Sequence, residues 1–477
     1  MSKFQSVKKI LNFIKYSISG RCIDNFVNKY KTSFLSYRFD NSPVAQNYLK
    51  GLLSCPKGEA NMERMEEYVV DSEYRAYQHF ISNSKWDYEG LQSQVAQDTS
   101  KLLNQQKEFN GQPVGYIVDE SAHLKKGKKS VGADRQYAGV IGKVDNSQVG
   151  VYASLVNGPS ASIINERIFL PKSWTKDSSR CEEAKIPIEF RTYKTKPELA
   201  LDMIKQDIAR GVHFDWVGGD GLYGHNTKLC NGLDEIDLFF VMDVHKDEKV
   251  FLQEPIFQVP EAKKGPGRKP TKLKSDICSI RLDKIQKEIP LNNWKSENIR
   301  DTVKGKLRLL VYKKKVWTWD RKSSKAKERV LIITKTTNLK PKIKYSISNG
   351  DMEAYSHREF AYFVSQRYWV ERSFDNAKNE LGMSDYQIRK WQSWHTHHAI
   401  IMLASLLITT KLIETKKEIP LLSFKDARIL IVTQICTTQI DLEQKIIQMQ
   451  KRHVKRKADI DWNYNKQKLK EQKKLSS

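Results

Sequence analysis

Two runs of β-forming residues in this sequence end on an aspartate, and that recurrence constrains the fold more than any other feature. The texture changes at Gly111-Gln112-Pro113, after which Val114-Gly115-Tyr116-Ile117-Val118 runs into Asp119-Glu120. Further along, Phe214-Asp215-Trp216-Val217 runs into Gly218-Gly219-Asp220. Between them, strand-like runs over 136–141 and 148–155 are expected to be joined by a turn at Asp145-Asn146. Pro197 to Arg210 has helical spacing, and a fifth strand fits Leu238 to Met242. Strands, a helix and further strands in that order predict a mixed α/β core rather than a helical bundle or a sandwich. Such sheets place reactive groups beyond the carboxyl ends of their strands, where both aspartates are expected.

The flanking segments read differently. Residues 1–110 are predicted to be mostly helical, starting with Phe4, Val7, Ile10, Leu11 and Ile14 at helical spacing. Helices are also expected over Tyr74–Phe80 and Tyr88–Leu103, with a break at Ser82-Asn83-Ser84. The α/β core occupies 111–250 and resumes at 351–415. The stretch 251–350 is a basic, β-rich insertion, with KKGPGRKPTKLK at 263–274 and strands expected near 307–311, 316–319 and 330–334. Ser356 and Glu359 then form a capping box, and Gly382 supplies a stop. On the helix between them Arg367, Glu371 and Lys378 are four and seven apart and share a face. Residues 416–477 form a helical C-terminal region whose polar tail, from Lys451, reads as a frayed end.

Composition narrows the function classes. Hydrophobic residues make up 39% of the chain, enough for a core, and the net charge of +26 calls for a polyanionic partner. The charge is uneven. Residues 251–350 carry +17 and 451–477 carry +7, which leaves the rest of the 477-residue chain at +2. That division suits a nearly neutral catalytic core with basic attachments better than a uniformly basic RNA binder. None of the six cysteines forms a Cys-x-x-Cys pair, so a zinc ribbon or disulfide framework is not expected. The longest apolar run, Ala399–Ile408, falls short of the ~20 residues of a membrane span and reads as a buried core helix. A soluble protein of the cytoplasm, associated with the nucleoid, is expected, with no membrane and no small-molecule cofactor.

Asp119, Asp220 and Glu371 lie on separate elements. Taken singly, each also fits a solvated strand end or helix surface. Together, carboxylates are hard oxygen ligands that could hold two metal ions ~3.5–4 Å apart for in-line displacement at phosphorus.

At this point a family resemblance emerges. The segment YIVDESAHLKKGKKSVGADRQYAGVIGKVDNSQVGVYASL, Tyr116 to Leu155, resembles the first catalytic block of bacterial insertion-sequence transposases of the DDE superfamily. The second block of that family is similar to Gly219-Asp220-Gly221-Leu222-Tyr223-Gly224. The third is a Tyr-x2-Arg-x3-Glu-x6-Lys helix, matched by Arg367, Glu371 and Lys378, and the likeness continues through ELGMSDYQIRKWQSWHTHH. Two positions depart from the pattern. Val364 stands at the signature tyrosine, beside Tyr362 and Phe363, and Glu120 replaces a second aspartate.

The resemblance implies a ribonuclease-H-like mixed sheet flanked by helices, with a helical N-terminal domain and a β-rich insertion before the last catalytic helix. It implies that Asp119, Asp220 and Glu371 are catalytic and bind two Mg2+ ions, or Mn2+. It further implies double-stranded DNA as partner, at element ends and target, and a homodimer in the DNA complex. Arg367 and Lys378 would contact DNA phosphates; an ion pair of Arg367 with Glu371 is the plainer alternative. Lys125 and Lys126, followed by Lys128 and Lys129, would grip the backbone or form a solvated loop. Trp317 and Trp319 would stack on a displaced base or pack in a core. Arg268 and Lys269 would enter a minor groove or belong to a flexible loop. His395, His397 and His398 read as core or surface histidines rather than metal ligands. An inactive DNA-binding regulator, or a ribonuclease-H-like nuclease without strand transfer, satisfies much of the same pattern.

Overall fold

The computed structural model describes residues 22–261, 269–302, 305–338, 340–415 and 422–436, with isolated residues and short runs between 450 and 472. The helix expected over Phe4–Ile14 lies outside the described residues. The chain forms two compact units.

The first unit takes residues up to 87, 377–387 and from 410 onward. Its helices Ser42–Ser54, Met62–Tyr68 and Tyr74–Ser82 enclose an aromatic core. There the Phe80 ring stacks on Trp86 at 5.1 Å and Phe34 meets the same indole at 5.2 Å. Arg428, on the helix Phe424–Cys436, donates to the carbonyls of Leu53 and Cys55 and pairs with Glu380 at 3.0 Å. In the tail, Asp461–Trp462 and Tyr464–Lys466 are helical and exposed.

The second unit, residues 88–376 and 388–409, holds the α/β core. Helix α1 (Tyr88–Asn110) leads into β1 (Gly115–Leu124), β2 (Asp134–Ala138), β3 (Lys143–Asn157) and β4 (Ser160–Ile168). Then follow α2 (Lys196–Ala209), β5 (Trp216–Gly219), the short α3 (Gly221–Gly224), α4 (Thr227–Glu235) and β6 (Phe240–Val244). Strands β7 (Lys295–Thr302), β8 (Gly305–Thr318), β9 (Lys327–Thr336) and β10 (Ile343–Ser348) precede α5 (His357–Glu380) and α6 (Trp391–Thr415).

The central order is β4-β3-β1-β5-β6. Strand β3 is antiparallel to both β1 and β4, whereas β1, β5 and β6 are parallel. A hairpin meander followed by parallel crossovers is the ribonuclease-H-like topology that the resemblance implies. The basic segment adds β10, β9, β8 and β7 to β6 as an antiparallel extension of the same sheet.

Four local expectations are corrected. The hairpin turn lies at Gly139–Gly142, not Asp145-Asn146, because Gly142 takes a φ of +63° that L-residues avoid. Asp145 and Asn146 instead sit inside β3. Strand β4 went unrecognised, since Asn165-Glu166-Arg167 looks too polar for a core strand; its polar groups are satisfied internally, as when the Asn165 amide donates to Asp207 at 2.9 Å. Strands β5 and β6 run two residues further than expected. Finally, Asp119 lies within β1 rather than at its end. Its parallel ladder with β5 stops at Val118↔Gly219, but the antiparallel ladder with β3 continues to Leu124↔Ser147.

Successive β1 side chains point to opposite faces. Ser154 and Tyr152, on the Asp119 face, meet Ser373 and Phe374 of α5. Tyr116, on the other, reaches Asp207 of α2 at 2.8 Å. Helix α6 is long and apolar enough to cross a membrane, yet 78% of its apolar window is buried inside the protein, as the core-helix reading expects.

Candidate active site

The register Val118↔Gly219 sets Asp119 and Asp220 as the next residues on two adjacent parallel strands. Asp220 also caps α3, its Oδ1 accepting from the Leu222 amide at 2.9 Å. The turn into α3 is tight. A Cβ on Gly224 would lie 2.0 Å from the Asp243 carbonyl oxygen, so only glycine allows this helix to seat against β6.

Helix α5 crosses the Asp119 face and begins as expected: the Ser356 hydroxyl and amide both donate to Glu359. Its Arg367 guanidinium lies 3.8 Å from Asp119 Oδ2, 3.0 Å from Glu371 Oε1 and 3.1 Å from Asp243 Oδ2. The last approach, by Nε, is a charge contact without the alignment of a hydrogen bond, since Nε has no hydrogen-bond partner. Asp243 is the penultimate residue of β6, and its Oδ1 accepts from the Ser346 hydroxyl of β10 at 2.8 Å. It was missed in the sequence reading, although its signal is that of the other two aspartates: a β-forming run, Phe240-Val241-Met242, stopping on an acid.

Asp119 is 13% exposed and Glu371 52%. Burial, then the charges of Asp220 and Glu120, push the Asp119 carboxyl up to about 7, against the pull of Arg367. Glu120 points to the opposite sheet face, where Lys196 pairs with it at 3.0 Å and the Tyr223 hydroxyl donates to it at 3.1 Å. The departure from aspartate thus supplies a clamp between β1, α2 and α3.

Asp119 and Asp220 have the character of a cation site. They are hard oxygen donors, and burial together with the neighbouring acids makes the charged form of Asp119 costly, which a bound cation would relieve. Among the described residues no three His, Cys, Asp or Glu side chains are arranged to hold a metal ion, and the Glu371 carboxylate is engaged by Arg367.

The remaining site candidates scatter. Lys378 is half-buried, seven residues beyond Glu371 on α5. Lys125 and Lys126 follow the end of β1, and a strand rise of ~3.3 Å per residue puts Lys125 ~20 Å from Asp119. The Asn146 amide holds this turn by donating to the Lys125 and Gly127 carbonyls, and Lys126 is exposed. Trp317 bridges to the Phe251 backbone, and Trp319 stacks on Phe257 at 4.1 Å with its Nε1 donating to the Ser323 carbonyl. Trp319 also lines a cavity of about 210 Å3 that none of the acids touches. Lys269 is exposed, and Arg268 lies outside the described residues. At the signature tyrosine position Val364 is buried, while the Tyr362 hydroxyl reaches the Pro113 carbonyl at 3.4 Å. His395, His397 and His398 are all buried in α6, as the core reading expects.

Comparison with known proteins decides the family. Residues 36–306 match the family described as DDE superfamily endonuclease. The chain belongs to that family. A probable transposase for insertion sequence element IS701 from Microchaete diplosiphon is 26% identical over 371 residues, 77% of this chain and 81% of that protein. Among solved structures, a piggyBac transposase synaptic complex with hairpin DNA aligns over 93% of this chain and 81% of that one, with a TM-score of 0.40 and 11% identity. That likeness is too distant to add to the fold argument. The DDE endonuclease reading rests on the family match and on the two aspartates that directly follow the last β1–β5 pair.

Proposed function

We propose that this protein is a DNA transposase that cuts at the ends of an insertion sequence and joins them to target DNA. The observation that carries the reading is the juxtaposition of Asp119 and Asp220, each one residue beyond the last β1–β5 pair, beside the Arg367–Glu371 face of α5. Asp119, Asp220 and Glu371 would hold Mg2+ or Mn2+, two ions in the complete site. When bound, the ions would neutralise the attacking and leaving oxygens of an in-line displacement.

The chain's own residues align and shield. The buried wall around Asp119 lowers the local dielectric, which strengthens every charge interaction with the scissile phosphate. Arg367, which meets three carboxylates, is placed to exchange one of them for a phosphate oxygen once DNA arrives. Lys378, Lys125 and Lys126 would contact the DNA backbone, Arg268 and Lys269 would enter a minor groove, and Trp319 or Trp317 would stack on a displaced base. Two ends must be brought together, so a homodimer is proposed in the DNA complex, with the protein working in the cytoplasm at the nucleoid.

The test is incubation with DNA carrying candidate element ends and Mg2+, comparing wild type with Asp119→Asn and Glu371→Gln. Nicking by wild type, none by either variant, and retained DNA binding are expected. Cleavage that persists in both variants overturns the assigned site, and binding without cleavage by wild type points to a DNA-binding regulator.

A further inference from the structure

Arg367 has more negative partners than one guanidinium can satisfy. Nε, NH1 and NH2 each approach a different carboxylate, on β6, β1 and α5 respectively. Two of these, Asp119 and Glu371, are proposed cation ligands; the third, Asp243, is assigned no role. Asp243 is also the best anchored of the three. It is 16% exposed, its Oδ1 is fixed by the Ser346 hydroxyl across the β6–β10 ladder, and Lys344 stands 3.9 Å from Oδ2. Burial works against the Arg367 charge, and Asp243 is the largest of the four acids that sustain it, ahead of Glu371, Asp119 and Asp220.

We propose that Asp243 is a positioning residue that docks the Arg367 guanidinium on β6 and so limits its competition with a divalent cation for Asp119 and Glu371. The inference rests on the metal-dependent reading above. A guanidinium and a divalent cation cannot both neutralise the same two carboxylates, so whatever retains Arg367 elsewhere raises cation affinity. A carboxylate on the rigid third parallel strand, held by a hydroxyl from the next strand, is suited to that task. It also leaves the guanidinium close enough to turn toward a phosphate.

Two explanations predict that removing Asp243 weakens cation binding: release of Arg367, and simple loss of a nearby negative charge. A double-mutant cycle on the full-length protein separates them. Mn2+ binding is measured without DNA by electron paramagnetic resonance for wild type, Asp243→Asn, Arg367→Gln and the double variant. Asp243→Asn is expected to raise the Mn2+ dissociation constant roughly tenfold. Arg367→Gln is expected to lower it, and adding Asp243→Asn to Arg367→Gln is expected to change little further. Asp243→Glu should recover most of the wild-type affinity.

An Asp243→Asn effect that persists in full without Arg367 overturns the docking role and leaves the transposase reading intact. So does unchanged Mn2+ affinity in folded Asp243→Asn. Wild type that neither binds Mn2+ nor cleaves DNA overturns the functional reading, and the inference with it. Should Asp243→Asn fold poorly, Ser346→Ala, which frees the same carboxylate from its anchor, is expected to weaken Mn2+ binding in the same direction; unchanged affinity there counts against the proposal.

Discussion

Asp119 and Glu166 lie in one row across the sheet, separated only by Tyr152, which pairs with both. The two carboxylates have opposite surroundings. Glu166 is fully buried and accepts from the Gln92 amide, the Trp394 indole and the His395 imidazole. Burial alone would push its carboxyl up, but His395, with His398 and Trp394 behind it, holds it down at about 2. Beside it the Tyr152 hydroxyl bridges His123 at 2.8 Å and His398 at 2.9 Å. Asp119 has no such shell. It accepts one backbone hydrogen bond from Glu120, and burial, then the charges of Asp220 and Glu120, push it up to about 7. The same sheet row therefore holds one carboxylate whose charge is complete and one whose charge calls for a cation. Perturbation in the second direction, where the β1–β5 ladder stops, is the mark of a site rather than of a scaffold.

The largest expected effect breaks the comparison at its functional end. Asp119→Asn should lower DNA cleavage by roughly 10³-fold or more, a magnitude typical of removing a group that stabilises transition-state charge. Yet it should raise, not lower, the melting temperature of the metal-free protein at pH 8. An Asp119→Asn protein that cleaves normally, or that melts earlier than wild type, would remove Asp119 from the under-neutralised class.

The structural end responds in the opposite sense. Glu166→Gln leaves His395 and Trp394 donating to a weaker acceptor in a buried site, and weakening hydrogen bonds to a buried charged group costs about 2 kcal/mol. Thermal or denaturant unfolding should show that loss while Mn2+ binding per folded molecule stays at the wild-type level. A Glu166 variant that keeps its stability but loses Mn2+ would transfer the functional role to the wrong carboxylate.

The same contrast sets a pH dependence. The folded-state value of Asp119 is raised from 3.8 to about 7. The folded protein therefore holds that proton more tightly than the unfolded chain, and metal-free stability falls as pH rises between those values. The loss should be on the order of a few kcal/mol, complete above pH 7 and absent in Asp119→Asn. Protons compete with the cation over the same window. Apparent Mn2+ affinity should rise by up to about tenfold per pH unit toward 7 and then level off. Titration by calorimetry from pH 5 to 8 checks this; a flat profile contradicts it.

How much of this was legible in the sequence follows from which forces act locally. The β-forming runs that reach Asp119 and Asp220 and the capped α5 were readable because β-forming runs, glycines and a capping box act within a few residues; the continuation of β1 past Asp119 to Leu124 was not. Asp243, which also follows a β-forming run, carried the same local signal and was passed over. Strand β4 was not readable, because Glu166 and Asn165 look like surface residues until α2 and α6 supply their donors and acceptors from 30 or more positions away in the chain. Nor could spacing show that Arg367 would reach Asp119 and Asp243 as well as its helical neighbour Glu371. Long-range polar satisfaction decides such groups, and it leaves no periodicity.

Glu120 stands between the two extremes, and it offers the finest test. It neighbours Asp119 in sequence but faces the other side of the sheet, where Lys196 and Tyr223 hold it. Its charge still helps push Asp119 up. Lys196→Met removes a partly exposed partner, so the stability cost should be only ~0.5–1 kcal/mol. The local potential becomes more negative, however, and Asp119 should keep its proton to a pH a few tenths of a unit higher. The midpoint of the Mn2+ titration should move up by that amount, while affinity above pH 8 tightens slightly because the pocket has lost a cation. A midpoint that moves down, or affinity that weakens above pH 8, would mean that Lys196 acts through the geometry of α2 and not through the charge balance that separates Asp119 from Glu166.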